Sequence, residues 1–289
     1  MEAMKMQDTN AYIKNICQKY DDYNKIDPSL FQSESVKRGL RNADGTGVKA
    51  GVTRVGDVHG YKMTEQGEAI LENGRVVPDD GVLTYRGIDV LKIIKGCEEE
   101  DRYGFEEVAF LLLFGYLPSA KELGDFIEIL GAFRFLPDGF TEDVLLRAPS
   151  PNIMTSLGRA VLALYAYDNN PEDLSLENML RQSIELIARF PLIVAHAFQA
   201  KMHYFDKESM YLHFPKENLS TAENLLRTMR PSKAFTAAEA KLLDLALVLH
   251  AEHGGGNNST FAARVLASAD TDTYSTISGA VGSPLIFRK

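Results

Sequence analysis

Three Ser/Thr-x-x-Glu patterns, each leading into apolar residues at helical spacing, constrain this chain more than any other feature. They are Ser119 with Glu122, Ser220 with Glu223 and Thr236 with Glu239. In each, the hydroxyl can accept from a first-turn amide while the carboxylate reaches back to the cap residue, so two otherwise orphaned donors are satisfied together. Ser150-Pro151 marks another start, with serine as cap and proline at the first helical position. The spacing predicts helices over Phe105–Phe114, Ala120–Phe135, Pro151–Tyr167, Leu176–Arg189, Leu192–Tyr204, Ala222–Met229, Ala237–His253 and Thr260–Ala269. Pro118, Pro137, Pro171, Pro191 and Pro215 fall between these helices or at their starts, where a missing N–H does least harm.

Ahead of the helices lies a glycine-rich stretch, Asn42–Gly60, in which Thr53–Val58 suits a short strand. Asn73-Gly74 is a hairpin signal, and Val82–Arg86 resumes a strand-like run beyond Pro78-Asp79-Asp80-Gly81. The glycines fit neither a dinucleotide fingerprint nor a phosphate loop. The first forty or so residues read as a polar helical arm, with Tyr12, Ile13, Ile16 and Tyr20 at helical spacing. Strands and helices do not alternate, which argues against a parallel sheet and for a mainly α protein with a small β element. Leu242–Leu249 and Val161–Tyr165 are apolar on more than one face, as central helices or a subunit interface would be.

A net charge of −9 argues against nucleic acid as a partner. No apolar stretch reaches membrane-spanning length, and the first residues lack the apolar core of a signal peptide. Cys17 and Cys97 are too few for a disulfide framework and lack metal-ligand spacing, so the cytoplasm is the expected location.

The chemistry concentrates in Leu249-His250-Ala251-Glu252-His253-Gly254-Gly255-Gly256-Asn257-Asn258-Ser259-Thr260. His253 ends an apolar helix, where the partial negative charge of the carboxyl terminus favours an imidazolium. Three glycines let backbone approach a ligand closely. Asn257, Asn258, Ser259 and Thr260 then open a helix whose first amides suit an anion. The expected ligand is a small oxo-acid. Two other readings stay open on the residues alone. Histidines three apart share a helix face and could bind metal, although the zincin pattern needs them four apart, Glu252 is adjacent to His253, and no cysteine or carboxylate motif follows at ligand spacing. Both imidazoles could also simply satisfy backbone groups. His59, His196, His203 and His213 have no partner motif, and Ser183 and Ser259 lack nucleophile-elbow glycines.

These residues resemble the citrate synthase family. Gly81-Val82-Leu83-Thr84-Tyr85-Arg86-Gly87-Ile88-Asp89 looks like its early signature, and Phe105–Pro118 like the segment that follows. The His250–Thr260 stretch is similar to its oxaloacetate-binding helix end, and Asp272–Ser275 with Gly279–Gly282 to the next helix. The resemblance implies a mainly α, multi-helical large domain in a homodimer. It also implies metal-free condensation of acetyl-CoA with oxaloacetate to give citrate and CoA, with acetyl-CoA a co-substrate and no cofactor. A 2-methylcitrate synthase using propionyl-CoA is the alternative within the family. Carried over by position, His253 hydrogen-bonds oxaloacetate, Asn257 shapes that pocket, and Ser259 orients a catalytic histidine.

The resemblance further places an N-terminal helical arm and short β element at 1–80 and a citrate-synthase-like large domain at 81–289. After Gly282-Ser283 the chain reads Pro284-Leu285-Ile286-Phe287-Arg288-Lys289, where the family continues through a Leu-Lys-Gly-Pro-x-His-Gly-Gly-Ala-Asn type segment. The expectation is therefore an incomplete large domain, truncated before the family's catalytic residues and lacking its small domain, with no catalytic residue assignable here. A non-catalytic remnant that binds a dicarboxylate or pairs with a full-length subunit is the rival expectation.

Overall fold

The computed structural model describes residues 53–65, 69–252 and 258–283. The expected N-terminal arm, His253, Asn257 and the Pro284–Lys289 tail lie outside them. The elements below all belong to one compact unit, Gly51–Lys289.

Strand β1 (Gly56–Tyr61) pairs antiparallel with β4 (Pro78–Tyr85), setting Gly56 opposite Tyr85. The short β5 (Ile88–Asp89) folds back on the end of β4. Between β1 and β4, the pair β2 (Leu71–Glu72) and β3 (Arg75–Val76) flanks Asn73-Gly74. Both turn residues have positive φ (52° and 75°), the backbone that a two-residue hairpin loop demands. β4 starts earlier than the apolar pattern suggests and runs through position 80. Its first residues are exposed and only Tyr85 is fully buried, so hydrophobicity marks only the inner end of the strand.

Nine helices follow among the described residues: α1 (Val90–Glu99), α2 (Phe105–Phe114), α3 (Ala120–Phe133), α4 (Ile153–Leu164), α5 (Leu176–Tyr204), α6 (Thr221–Met229), α7 (Ala237–His250), α8 (Asn258–Ala267) and α9 (Thr273–Gly282). All three expected capping boxes form, at the starts of α3, α6 and α7. Ser150-Pro151 does not open α4. Asn152 does, accepting from the Thr155 amide, while Ser150 accepts from the Asn152 amide one step earlier. A π-helical turn (Thr141–Leu146) precedes α4, and a 3₁₀ turn (Tyr165–Tyr167) ends it.

Two helices expected on either side of Pro191 are a single 29-residue helix, α5. Proline's fixed φ is close to the helical value, so it removes one hydrogen bond without forcing a break. Leu186 and Ala188 before it and Leu192, Ile193 and Ala195 after it are buried on the same body of the protein, and that packing carries the helix through.

Three apolar clusters make the core. One joins α4, α5, α9 and the π turn through Phe140, Leu157, Val161, Leu186, Ile193 and Tyr274. A second joins β4, α1, α2 and α7 through Tyr85, Val90, Ile93, Val108, Leu111 and Val248. A third sets Phe110 of α2 and Phe126 of α3 edge to face at 5.5 Å, beside Ala188 of α5. Each large apolar side chain buried in this way contributes on the order of 1.5–3 kcal/mol.

Candidate functional site

Helix α7 delivers the chain to the candidate site. Thr236 and Glu239 start it, and it ends at His250, where the His250 Nδ1 lies 2.7 Å from the Ala246 carbonyl of its own last turn. That contact commits one ring nitrogen of His250 to the backbone of its own helix. The fully buried Tyr85 donates its hydroxyl to the Val248 carbonyl at 2.6 Å. The amides of Glu252 and Ala251 face the same phenol oxygen, and burial pushes its pKa up. Glu252 then passes against Gly56, so closely that a Cβ at Gly56 would stand 2.5 Å from Glu252 Cγ.

Ser259 lies in the first turn of α8, which begins at Asn258 rather than at the expected Thr260. It is half-buried, and Ser283 Oγ sits 3.1 Å from its Oγ and 3.0 Å from the Ala280 carbonyl. Both contacts can be made at once, with Ser283 donating to the carbonyl and accepting from the Ser259 hydroxyl. The amino-terminal turn of a helix such as α8 carries partial positive charge, a setting that favours an anion.

Helix α9 is in turn pinned to the body. Ser278 Oγ donates to the Gly158 carbonyl of α4 at 2.8 Å, and Tyr274 donates to Asp168 Oδ2 at 2.8 Å. Asp168 also accepts from Arg181 and Gln182. Burial raises the Asp168 pKa, but hydrogen bonds from the Asn170 amide, Arg181, Gln182 and Tyr274 overcome it and hold the carboxyl well below the usual range. Burial and the Asp168 contact push the Tyr274 hydroxyl pKa well up. The tie is thus between a carboxylate and a neutral phenol.

Of the three residues singled out in the sequence, Ser259 is placed at a helix start beside α9. His253 and Asn257 fall outside the described residues, between Glu252 and Asn258. The remaining histidines are held structurally. His196 is buried in α5, with Nδ1 2.9 Å from Thr141 Oγ1 and Nε2 3.3 Å from the His213 carbonyl, and burial lowers its pKa. His213 reaches the Pro231 carbonyl, His203 the Glu208 carbonyl and His59 the Asp57 carboxylate. Among the described residues, no group of three or more His, Cys, Asp and Glu side chains could hold a metal. No helix among them is long and apolar enough to cross a membrane.

Residue-by-residue reading missed Tyr85 and Gly56. Tyr85 was visible inside the Tyr85-Arg86-Gly87 signature but carried no role there, because its partner is 163 positions away.

Comparison with known proteins agrees with this architecture. The family described as citrate synthase, C-terminal domain, matches residues 46–284. A 2-methylcitrate synthase of Corynebacterium glutamicum is 31% identical over 213 residues, covering 72% of this chain and 52% of that protein. A citrate synthase of Deinococcus radiodurans is 33% identical over 204 residues, covering 71% of this chain and 50% of that protein. The crystal structure of citrate synthase from Pyrobaculum aerophilum superposes with a TM-score of 0.65 at 28% identity, covering 86% of this chain and 58% of that one. That of Thermotoga maritima superposes at 0.61 with 27% identity, covering 86% and 55%. The chain spans about half the length of the curated relatives it matches. With the family match running through the helices that carry Ser259 and lead into the His253 segment, the chain belongs to the citrate synthase family.

Proposed function

We propose that this protein carries the oxaloacetate-binding part of a citrate-synthase-type acyltransferase, which joins the acyl carbon of a CoA thioester to the oxo-acid carbonyl. The observation that carries the reading is the position of Ser259 in the first turn of α8, next to α9, just beyond the stretch that α7 feeds. His253, following the carboxyl end of α7, is assigned the oxo-acid hydrogen bond, which is strongest from an imidazolium. Asn257 is assigned to shape the pocket and Ser259 to orient a catalytic imidazole. The role needs no metal, since charged donors and helix amides supply the positive field.

Acetyl-CoA is the proposed acyl donor and citrate the product. Propionyl-CoA and 2-methylcitrate form the second reading, favoured by similarity to relatives of both kinds at 31% and 33% identity. We also propose a homodimer. Leu162 of α4 and Leu176 and Met179 of α5 support it, because they expose apolar surface on neighbouring helices (48%, 71% and 36%). A cytoplasmic location completes the proposal, supported by the free Cys97 thiol.

Calorimetric titration of the chain with oxaloacetate tests the site, with His253→Ala as control. Saturable binding that the substitution weakens by tenfold or more is expected, about 1.4 kcal/mol. Equal binding by both proteins would overturn the assignment. CoA release from acetyl-CoA and from propionyl-CoA then decides the acyl donor, and light scattering of the eluting protein decides the dimer.

A further inference from the structure

Tyr85 and Gly56 face each other across β1 and β4, and both act on the same five residues at the end of α7. Tyr85 is 0% exposed, its ring lies in the cluster that includes Val248, and its hydroxyl holds the Val248 carbonyl at 2.6 Å. That carbonyl belongs to the last helical turn, where backbone acceptors have no partner within the helix. The Ala251 amide reaches it only at 3.4 Å, so the phenol supplies its short bond. On the opposite strand, Gly56 leaves the space that the Glu252 side chain passes through. Neighbouring Arg86 does the same work at another helix end, donating from Nη2 to the Leu112 carbonyl of α2 at 2.5 Å. The strand end is therefore a bracket that terminates two helices, and Tyr85 is its arm on α7.

We propose that Tyr85 and Gly56 are positioning residues for the oxo-acid site: together they fix the direction in which the chain leaves α7 at Val248–Glu252. The inference rests on the function proposed above. Neither residue is given contact with substrate. Their effect passes through the backbone of Val248–Glu252, the last residues before His253.

Two measurements on the whole chain test it, comparing wild type with Tyr85→Phe, Gly56→Ala and Ser119→Ala. Ser119→Ala removes a cap on α3 and serves as a destabilised control remote from this region. The first is amide hydrogen exchange of Val248–Glu252 without ligand. Roughly tenfold faster exchange is expected in Tyr85→Phe, where the ring stays but a buried acceptor loses its donor, and no change in Ser119→Ala. The second is the oxaloacetate dissociation constant, expected to rise roughly tenfold in Tyr85→Phe and to rise in Gly56→Ala while Ser119→Ala keeps the wild-type value. Unchanged exchange in Tyr85→Phe overturns the bracket. Faster exchange with unchanged affinity overturns the positioning role. A wild-type chain that binds no oxaloacetate overturns the site assignment itself, and the exchange data then still decide whether the bracket exists.

Discussion

Asp244, in the middle of α7, accepts the Gly104 amide at 2.7 Å through Oδ2 and, through Oδ1, the Phe105 amide at 3.1 Å. Gly104 occupies the cap position of α2 and has no side chain to offer, so a carboxylate 140 positions away caps that helix. A Cβ at Gly104 would meet Cys97 Sγ at 3.0 Å, which rules out a local serine cap without repacking. Asp244→Leu strands two buried donors and is expected to cost about 2–4 kcal/mol of stability. Asp244→Asn keeps one oxygen and is expected to cost about half of that. Urea unfolding of both variants checks the order, and equal losses would contradict the capping role.

Gly131 and Gly124, both in α3, are expected to respond in opposite directions to the same substitution. Alanine normally gains about 1 kcal/mol over glycine inside a helix. At Gly124 nothing lies within 4 Å of a new Cβ, so Gly124→Ala should gain that amount. At Gly131 the new Cβ would sit 2.8 Å from the Glu217 carbonyl oxygen, backbone that Arg134 Nη1 also holds at 3.0 Å. Forcing that contact costs about 1–3 kcal/mol, which exceeds the propensity gain. Thermal melts should show a higher Tm for Gly124→Ala and a lower one for Gly131→Ala.

The Asp168 network carries a pH signature. A carboxyl whose pKa is lower in the folded than in the unfolded chain adds stability that is complete above the unfolded value and drains away as pH falls below it. For Asp168 that decline starts near the ordinary 3.8 and continues downward. Asp168→Asn should be less stable than wild type by about 2–4 kcal/mol at pH 7, since Arg181, Gln182 and Tyr274 lose a buried anionic acceptor. The gap should narrow as pH drops under 3.8. Denaturant titrations at pH 7, 5 and 3 (about two units apart) measure it, and a constant gap would mean the carboxylate charge is not what the network uses.

Pro191 offers a gain. Replacing it with alanine restores the hydrogen bond missing within α5, worth up to about 3 kcal/mol, while freeing the unfolded chain costs about 0.4–1 kcal/mol. Pro191→Ala is therefore expected to raise the Tm. A fall would show that packing around residue 191 has adapted to the proline ring.

Where a signal was local, the residues alone carried it. Ser119, Ser220 and Thr236 each satisfy an amide three positions ahead, so the starts of α3, α6 and α7 were legible. Asn73-Gly74 needed nothing beyond its own backbone freedom to mark the hairpin. Ser150-Pro151 misled because Asn152, two residues on, offers the better-placed oxygen. Pro191 misled because a proline's cost is local, whereas the packing that outweighs it comes from other helices. For the site, composition and order around His253, Asn257 and Ser259 suggested an anion, and only the family resemblance turned that into oxaloacetate.

By itself the sequence determined the class of fold, most helix starts and the neighbourhood of the chemistry, since each depends on partners within a few residues. Only the tertiary structure decided that Asp244 caps α2, that Tyr274 is tied to Asp168, and that Tyr85 and Gly56 hold the end of α7. Those bonds join residues 106 to 163 positions apart, and a side chain's identity says that it needs a partner without saying which distant backbone packing will bring to it.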